Sequence, residues 1–99
     1  MDNSLIISLK FSENRLDTEK GFTMIMELED ILAQIVQEKN LGYLDGNEFC
    51  EDTVSFYFYG KNVQEMWKEL LPWVIRMPFL PESYATMTIN NIQHTISLE

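Results

Sequence analysis

The sequence is poor in the residues that most often carry chemistry. Cysteine and histidine occur once each, as Cys50 and His94. A single cysteine cannot close an internal disulfide, and a reducing compartment is its natural setting. Metal sites draw several His or Cys ligands, so no metal is expected. Cys50 and His94 lie far apart in the chain, with no third group to orient a thiol nucleophile and its base. Glycine is scarce, at four residues. There is no Gly-rich phosphate loop, no Gly-x-Ser-x-Gly elbow and no Cys-x-x-Cys pair. No apolar run reaches the roughly 18 residues of a membrane-crossing helix. No cationic start with an apolar run and a small-residue cleavage site precedes the first strand. The expectation is a soluble, cytoplasmic protein with no membrane partner. Basic residues are few, 7 Lys and Arg against 16 Asp and Glu, for a formal net charge of −9. Phosphate contacts need Lys and Arg, so nucleic acid is not an expected partner. A basic protein partner would be attracted instead. The same acidity also serves to keep a small protein soluble.

What is present is material for a core. The composition is 45% hydrophobic and 12% aromatic over 99 residues, enough to exclude disorder and to expect one domain over residues 1–99. Leu5, Ile7, Leu9 and Phe11 alternate with Ile6, Ser8 and Lys10, the period of a strand. Ser12–Leu16 reads as a loop, and Asp17 or Thr18 is placed to cap a helix, with Glu19 at its positive end. Met24, Ile25, Leu28, Ile31, Leu32, Ile35 and Val36 then recur at three- and four-residue steps. Gly21 weakens the start, so the helix is expected to tighten only after Phe22. Asn40 and Gly42 signal its end.

Residues 41–60 organise the middle of the chain. Asp45-Gly46 is a strong turn pair, which places a tight reversal or a bulge there with Gly46 at positive φ. The alternative is one longer strand over Gly42–Cys50, with the reversal at Glu51-Asp52. Val54, Phe56 and Phe58 alternate with Ser55, Tyr57 and Tyr59. A second helix follows. Asn62 is its N-cap with Glu65 three residues on, and Val63, Met66, Trp67, Leu70, Leu71, Val74 and Ile75 form its apolar stripe. Pro72 is expected to kink or break it. Absent a kink at Pro72, Trp67 and Trp73 would point to different sides, one into the core and one available to a partner. Tyr84–Ile89 and Ile92–Leu98 alternate around Asn90-Asn91, a terminal hairpin.

The order β-α-β-β-α-β plus one strand is the ferredoxin-like, split-βαβ arrangement: an α+β, two-layer sandwich with two helices on one face of an antiparallel sheet. Leu28, Ile31, Leu32, Ile35, Phe56, Phe58, Leu70 and Val74 are expected inside. Leu28-Glu29-Asp30, Gly42-Tyr43-Leu44-Asp45-Gly46-Asn47-Glu48, Tyr57-Phe58-Tyr59-Gly60 and Leu71-Pro72 resemble a pattern of small, uncharacterised bacterial ferredoxin-like domains. In that group a Leu-Glu-Asp helix precedes a Gly-x-x-Asp-Gly-x-Glu strand, a Tyr-x-Tyr-Gly strand end and a helix with an internal proline. The likeness runs from about Met24 to Pro72. Phe49-Cys50 stands where the pattern has a glycine. Similar acidic domains occur among immunity proteins of bacterial toxin systems, which implies a basic toxin as one conceivable partner.

The candidate binding residues are Asp45, Asn47, Glu48, Tyr57 and Tyr59. Asp45, Asn47, Glu48, Glu51 and Asp52 offer oxygen ligands, but their spacing does not match a calcium loop. Asp45 or Glu48 bonding to backbone or Tyr hydroxyls accounts better for them. No feature supplies a pocket that would separate the pKa values of an acid/base pair, so no catalytic residue and no cofactor is expected. Tyr57 and Tyr59 would lie on an exposed sheet surface, where tyrosine suits a protein partner, a second copy of the chain included. The leading function is protein binding. The alternatives are immunity against a basic toxin domain, and a small ligand-binding protein or enzyme with a pocket between sheet and helices.

Overall fold

The computed structural model describes residues 2–98. The elements are β1 (Asn3–Lys10), a 3-10 turn (Arg15–Asp17), α1 (Glu19–Glu38), β2 (Tyr43–Cys50), β3 (Thr53–Gly60), α2 (Val63–Val74), β4 (Tyr84–Ile89) and β5 (Ile92–Ser97). The five strands form one sheet in the order β2-β3-β1-β4-β5, every neighbouring pair antiparallel. The protein is therefore α+β. β3 lies between β1 and β2, the strands that α1 joins, and β1 lies between β3 and β4, the strands that α2 joins.

The strand period decides which side is covered. Leu5, Ile7 and Leu9 of β1 stand opposite Phe58, Phe56 and Val54 of β3, and all six are fully buried. Ala85 and Met87 extend this layer onto β4. Ile25, Leu28, Leu32 and Val36 of α1 and Val63, Met66, Trp67, Leu70 and Val74 of α2 close over it in a single hydrophobic cluster. Both helices thus cover one face, and the alternate strand residues face away from them. Burial of one Leu or Phe side chain contributes roughly 1.5–3 kcal/mol, so this layer dominates the stability.

Several sequence expectations need correction. The hairpin reversal is not at Asp45-Gly46 but at Glu51-Asp52, because β2 continues to Cys50 and pairs it with Thr53. Glu51 takes the left-handed turn position, with φ 55°. Asp45 instead sits where the β2–β3 register shifts between Leu44 and Gly46, so the pair marks a bulge. Gly46 does not have positive φ; among the glycines that belongs to Gly42, at 143°. α1 starts at Glu19 behind the Thr18 cap, whose hydroxyl accepts from the Gly21 N–H at 2.9 Å, and does not wait until after Phe22 to form. Gly21 is a packing requirement rather than a weak point: a Cβ there would lie 1.9 Å from the Arg15 carbonyl oxygen. Ile31 is only half-buried and lies outside the core cluster, while Ile35 packs at its margin. α2 is not broken at Pro72: it runs through the proline and ends two residues on, at Val74. Asn62 caps α2 as expected, accepting from the Glu65 N–H at 3.0 Å. Among the described residues no helix is long and apolar enough to cross a membrane.

Candidate functional site

Among the described residues no element covers the face of the sheet away from the helices, and the register sorts its residues into rows. Tyr43, Tyr59, Ser4, Thr88 and Gln93 run across the five strands in one row. Gly46, Tyr57, Ile6, Thr86 and Thr95 form the next. Glu48, Ser55, Ser8, Tyr84 and Ser97 form a third, and Cys50, Thr53 and Lys10 a short fourth. Glu48 and Lys10 are the only charged side chains in these rows. Every tyrosine of the chain is among them.

The face is ordered by contacts between its own side chains. The Tyr57 hydroxyl donates to Glu48 Oε1 at 3.1 Å across the β2–β3 pair. That bond, made to the protonated phenol, is the main reason the Tyr57 pKa is raised; partial desolvation and the Glu48 charge act in the same direction. The Tyr43 and Tyr59 rings pack with centroids 5.7 Å apart, a separation typical of tilted aromatic pairs. Ser8 and Ser55 share a hydrogen bond at 3.0 Å. Ser8 is buried, so the centre of the face is low and the tyrosines stand higher around it.

The five sequence candidates do not converge on one site. Glu48, Tyr57 and Tyr59 share the open face. Asp45 lies exposed at the bulge on the outer strand. Asn47 points to the helix side, where its amide donates to Glu29 Oε1 on α1. Strand alternation separates Asn47 from Glu48, and the bulge re-sets the phase between Leu44 and Gly46. Among the described residues no group of three or more His, Cys, Asp or Glu is arranged to hold a metal ion. Asp52 is occupied structurally: its carboxylate accepts from the Asn14 N–H at 3.2 Å and its carbonyl from the Phe11 N–H at 2.8 Å. Cys50 and Glu48 on β2 stand at the opposite sheet edge from His94 on β5. Trp67 is the core tryptophan; Trp73 is half-buried, with the Arg76 guanidinium 4.4 Å above its ring.

A shallow groove of about 380 Å³ opens at one end of the β2–β3 pair, lined by Asn40, Gly42, Tyr43, Tyr59, Lys61 and Asn62 among others. It borders the open face through Tyr43 and Tyr59. Tyr43 and Tyr84 belong to the face as fully as Tyr57 and Tyr59, although the sequence alone does not single them out. The signal for Tyr84 is its phase with Thr86 and Thr88. Its neighbourhood depends on β4 lying beside β1, which no local pattern encodes. Compared with known protein families and with curated proteins, the chain matches none.

Proposed function

We propose that the protein is a non-enzymatic, ferredoxin-like domain that binds a protein through the open face of its sheet. The observation that carries this reading is the concentration of all four tyrosines on a face with two charged side chains, in a molecule of net charge −9. A sheet face that only met water would carry its share of the acidic residues. Interface centres are instead depleted of charge and enriched in tyrosine, which supplies rigid amphipathic contact area with little entropy to lose. Ile6 in the middle row adds an apolar centre. The ferredoxin-like reading of the fold is supported by the two β-α-β units, each split by one antiparallel strand, with β5 added beside β4.

The test is a site-directed comparison. A photo-crosslinking residue is placed at Tyr57 on the open face and, separately, at exposed Gln34 on α1. The expected result is one defined protein adduct from the Tyr57 position that the Gln34 position does not give. Equal labelling from both positions, or none from Tyr57, would sink the open-face reading.

A second reading is immunity against a basic toxin domain. Glu13, Asp17, Glu51 and Asp52 surround a shallow depression at the β2–β3 turn, a concentrated acidic end. Binding at that end would weaken steeply between low and high salt, whereas binding centred on the tyrosine face would not.

A further inference from the structure

The two edges of the sheet are built differently. β2 is defended as an edge strand: it carries the bulge at Asp45, the charges of Asp45 and Glu48, and Glu29 beside Asn47. Bulges and charges are the usual devices that stop an edge from pairing with another chain. β5 has neither. Ile92–Ser97 contains no Asp, Glu, Lys, Arg, Pro or Gly and pairs with β4 in unbroken register. Neither helix packs over it, and Ile92 is 62% exposed.

The hairpin also determines which backbone groups of β5 are free. Asn90 and Asn91 both have positive φ, 51° and 69°, the two-residue type I′ turn. Such a turn makes the flanking Ile89–Ile92 pair a hydrogen-bonded one, and pairs alternate from there. Ile92, His94 and Ile96 therefore direct their N–H and C=O toward β4. Gln93, Thr95 and Ser97 direct theirs outward, and among the described residues no strand lies beyond β5 to receive them.

We infer that β5 pairs antiparallel with β5 of a second copy, joining two sheets into one continuous sheet. The occupant is a second copy for two reasons. First, two molecules of net charge −9 repel, and β5 is the edge where they can approach without bringing like charges together; β2 against β2, about an axis between Gly46 and Asn47, would set Asp45 of each copy opposite Glu48 of the other. Second, the free groups are self-complementary. With Thr95 on the two-fold axis, Thr95 faces Thr95, and Gln93 faces Ser97 of the other copy. Each of these residues then exchanges both of its backbone bonds, as an isologous contact requires. His94 comes opposite Ile96 of the second copy on the helix side. The open faces merge into one surface of twice the width. The pairing does not depend on what that face binds.

The test uses the purified protein with no partner added, first as the wild type. Sedimentation equilibrium across concentration gives the oligomeric state, and residue-resolved amide exchange is measured at low and high concentration. The expected result is a dimer in which the Gln93, Thr95 and Ser97 amides become protected as concentration rises. Thr95→Pro removes the N–H on the axis and leaves the β4–β5 ladder intact, because that N–H points outward. It should weaken the dimer by about tenfold or more. A protein that stays monomeric up to about 1 mM would overturn the inference, as a contact that weak contributes under about 4 kcal/mol. So would a dimer whose protection appears elsewhere, for instance along β2 or α1. A dimer undiminished by a folded Thr95→Pro variant would overturn it as well. If the variant fails to fold, the wild-type exchange pattern still decides.

Discussion

At the scale of the residue, the glycines show how position decides cost. Gly42 has φ 143°, and a Cβ there would stand 2.0 Å from the Tyr59 carbonyl oxygen. Gly42→Ala should destabilise by more than about 1 kcal/mol in urea unfolding. Gly46 has nothing within 4 Å of a Cβ and no positive φ. Gly46→Val should therefore be near neutral, within about 0.5 kcal/mol, contrary to what the Asp-Gly pair suggests from sequence. Glu51 is the strained member of the hairpin. Glu51→Gly should stabilise by about 1 kcal/mol, because the left-handed position costs an L-residue about that much. The Tyr57–Glu48 bond makes a pH prediction. Tyr57 has a raised folded pKa, so the bond's stabilisation is full below the ordinary tyrosine value near about 10 and is lost as pH rises through the folded value. In an absorbance titration of tyrosinate, one tyrosine should lag the others. Glu48→Gln should bring it back toward the rest; an unchanged curve would remove Glu48 as the cause.

At the scale of the element, helix starts and the terminal hairpin were legible because their signals are local. Thr18, Asn62, Asn40 and the Asn90-Asn91 turn each act within four residues of themselves. Thr18→Ala and Asn62→Ala should each cost about 0.5–2 kcal/mol, since each leaves a helix N–H without its partner. Leu32, fully buried in the middle of α1, should cost about 2–5 kcal/mol as Leu32→Ala in chemical denaturation. Ile31→Ala should cost distinctly less, because Ile31 lies off the core cluster. Where two local signals competed, as between Asp45-Gly46 and Glu51-Asp52, the strand pairing chose. Register with β3 sets Leu44 opposite Phe58 and continues to Cys50 opposite Thr53, so β2 absorbs its turn-like pair as a bulge instead of ending there.

At the scale of the whole molecule, charge is unbalanced and little of it is paired. Among the described residues one ion pair forms, Lys39 Nζ to Glu69 Oε1 at 2.8 Å, linking the end of α1 to α2. Their hydrogen bond, more than the Coulomb attraction, raises the Lys39 pKa and lowers that of Glu69. The Glu69 contribution is present above the ordinary carboxylate pKa and is lost as pH falls through its folded value. The Lys39 contribution is lost only as pH rises beyond the ordinary lysine value. Lys39 is exposed and Glu69 half-buried at the surface, so solvent screens the pair and the effect on stability is small. With 16 acidic residues against 7 basic ones, repulsion among the remaining acids is expected to outweigh it. The melting temperature should rise when NaCl is raised from about 10 mM to about 500 mM, as screening shortens the reach of like charges. A fall would mean that attractive pairs dominate after all.

The amino-acid pattern alone was sufficient for the α+β class, the order of the elements, the two aromatic phases of β3 and most of the core stripes of both helices, Ile31 of α1 and Ile75 after the end of α2 being the members that lie outside the core. These follow from periodicity and capping, which act over a few residues. It was not sufficient for the site. Tyr84 joins Tyr57 and Tyr59 on one surface only because β1 lies between β3 and β4, a pairing of strands distant in sequence. Asn47 and Glu48 part to opposite faces, and the bulge at Asp45 decides which of them faces the helices by shifting the phase of β2. The uncharged edge at β5 is an edge only because, among the described residues, no other strand pairs beyond it. Contacts of this kind are chosen by the burial of the whole core at once, and no short stretch of sequence holds that information.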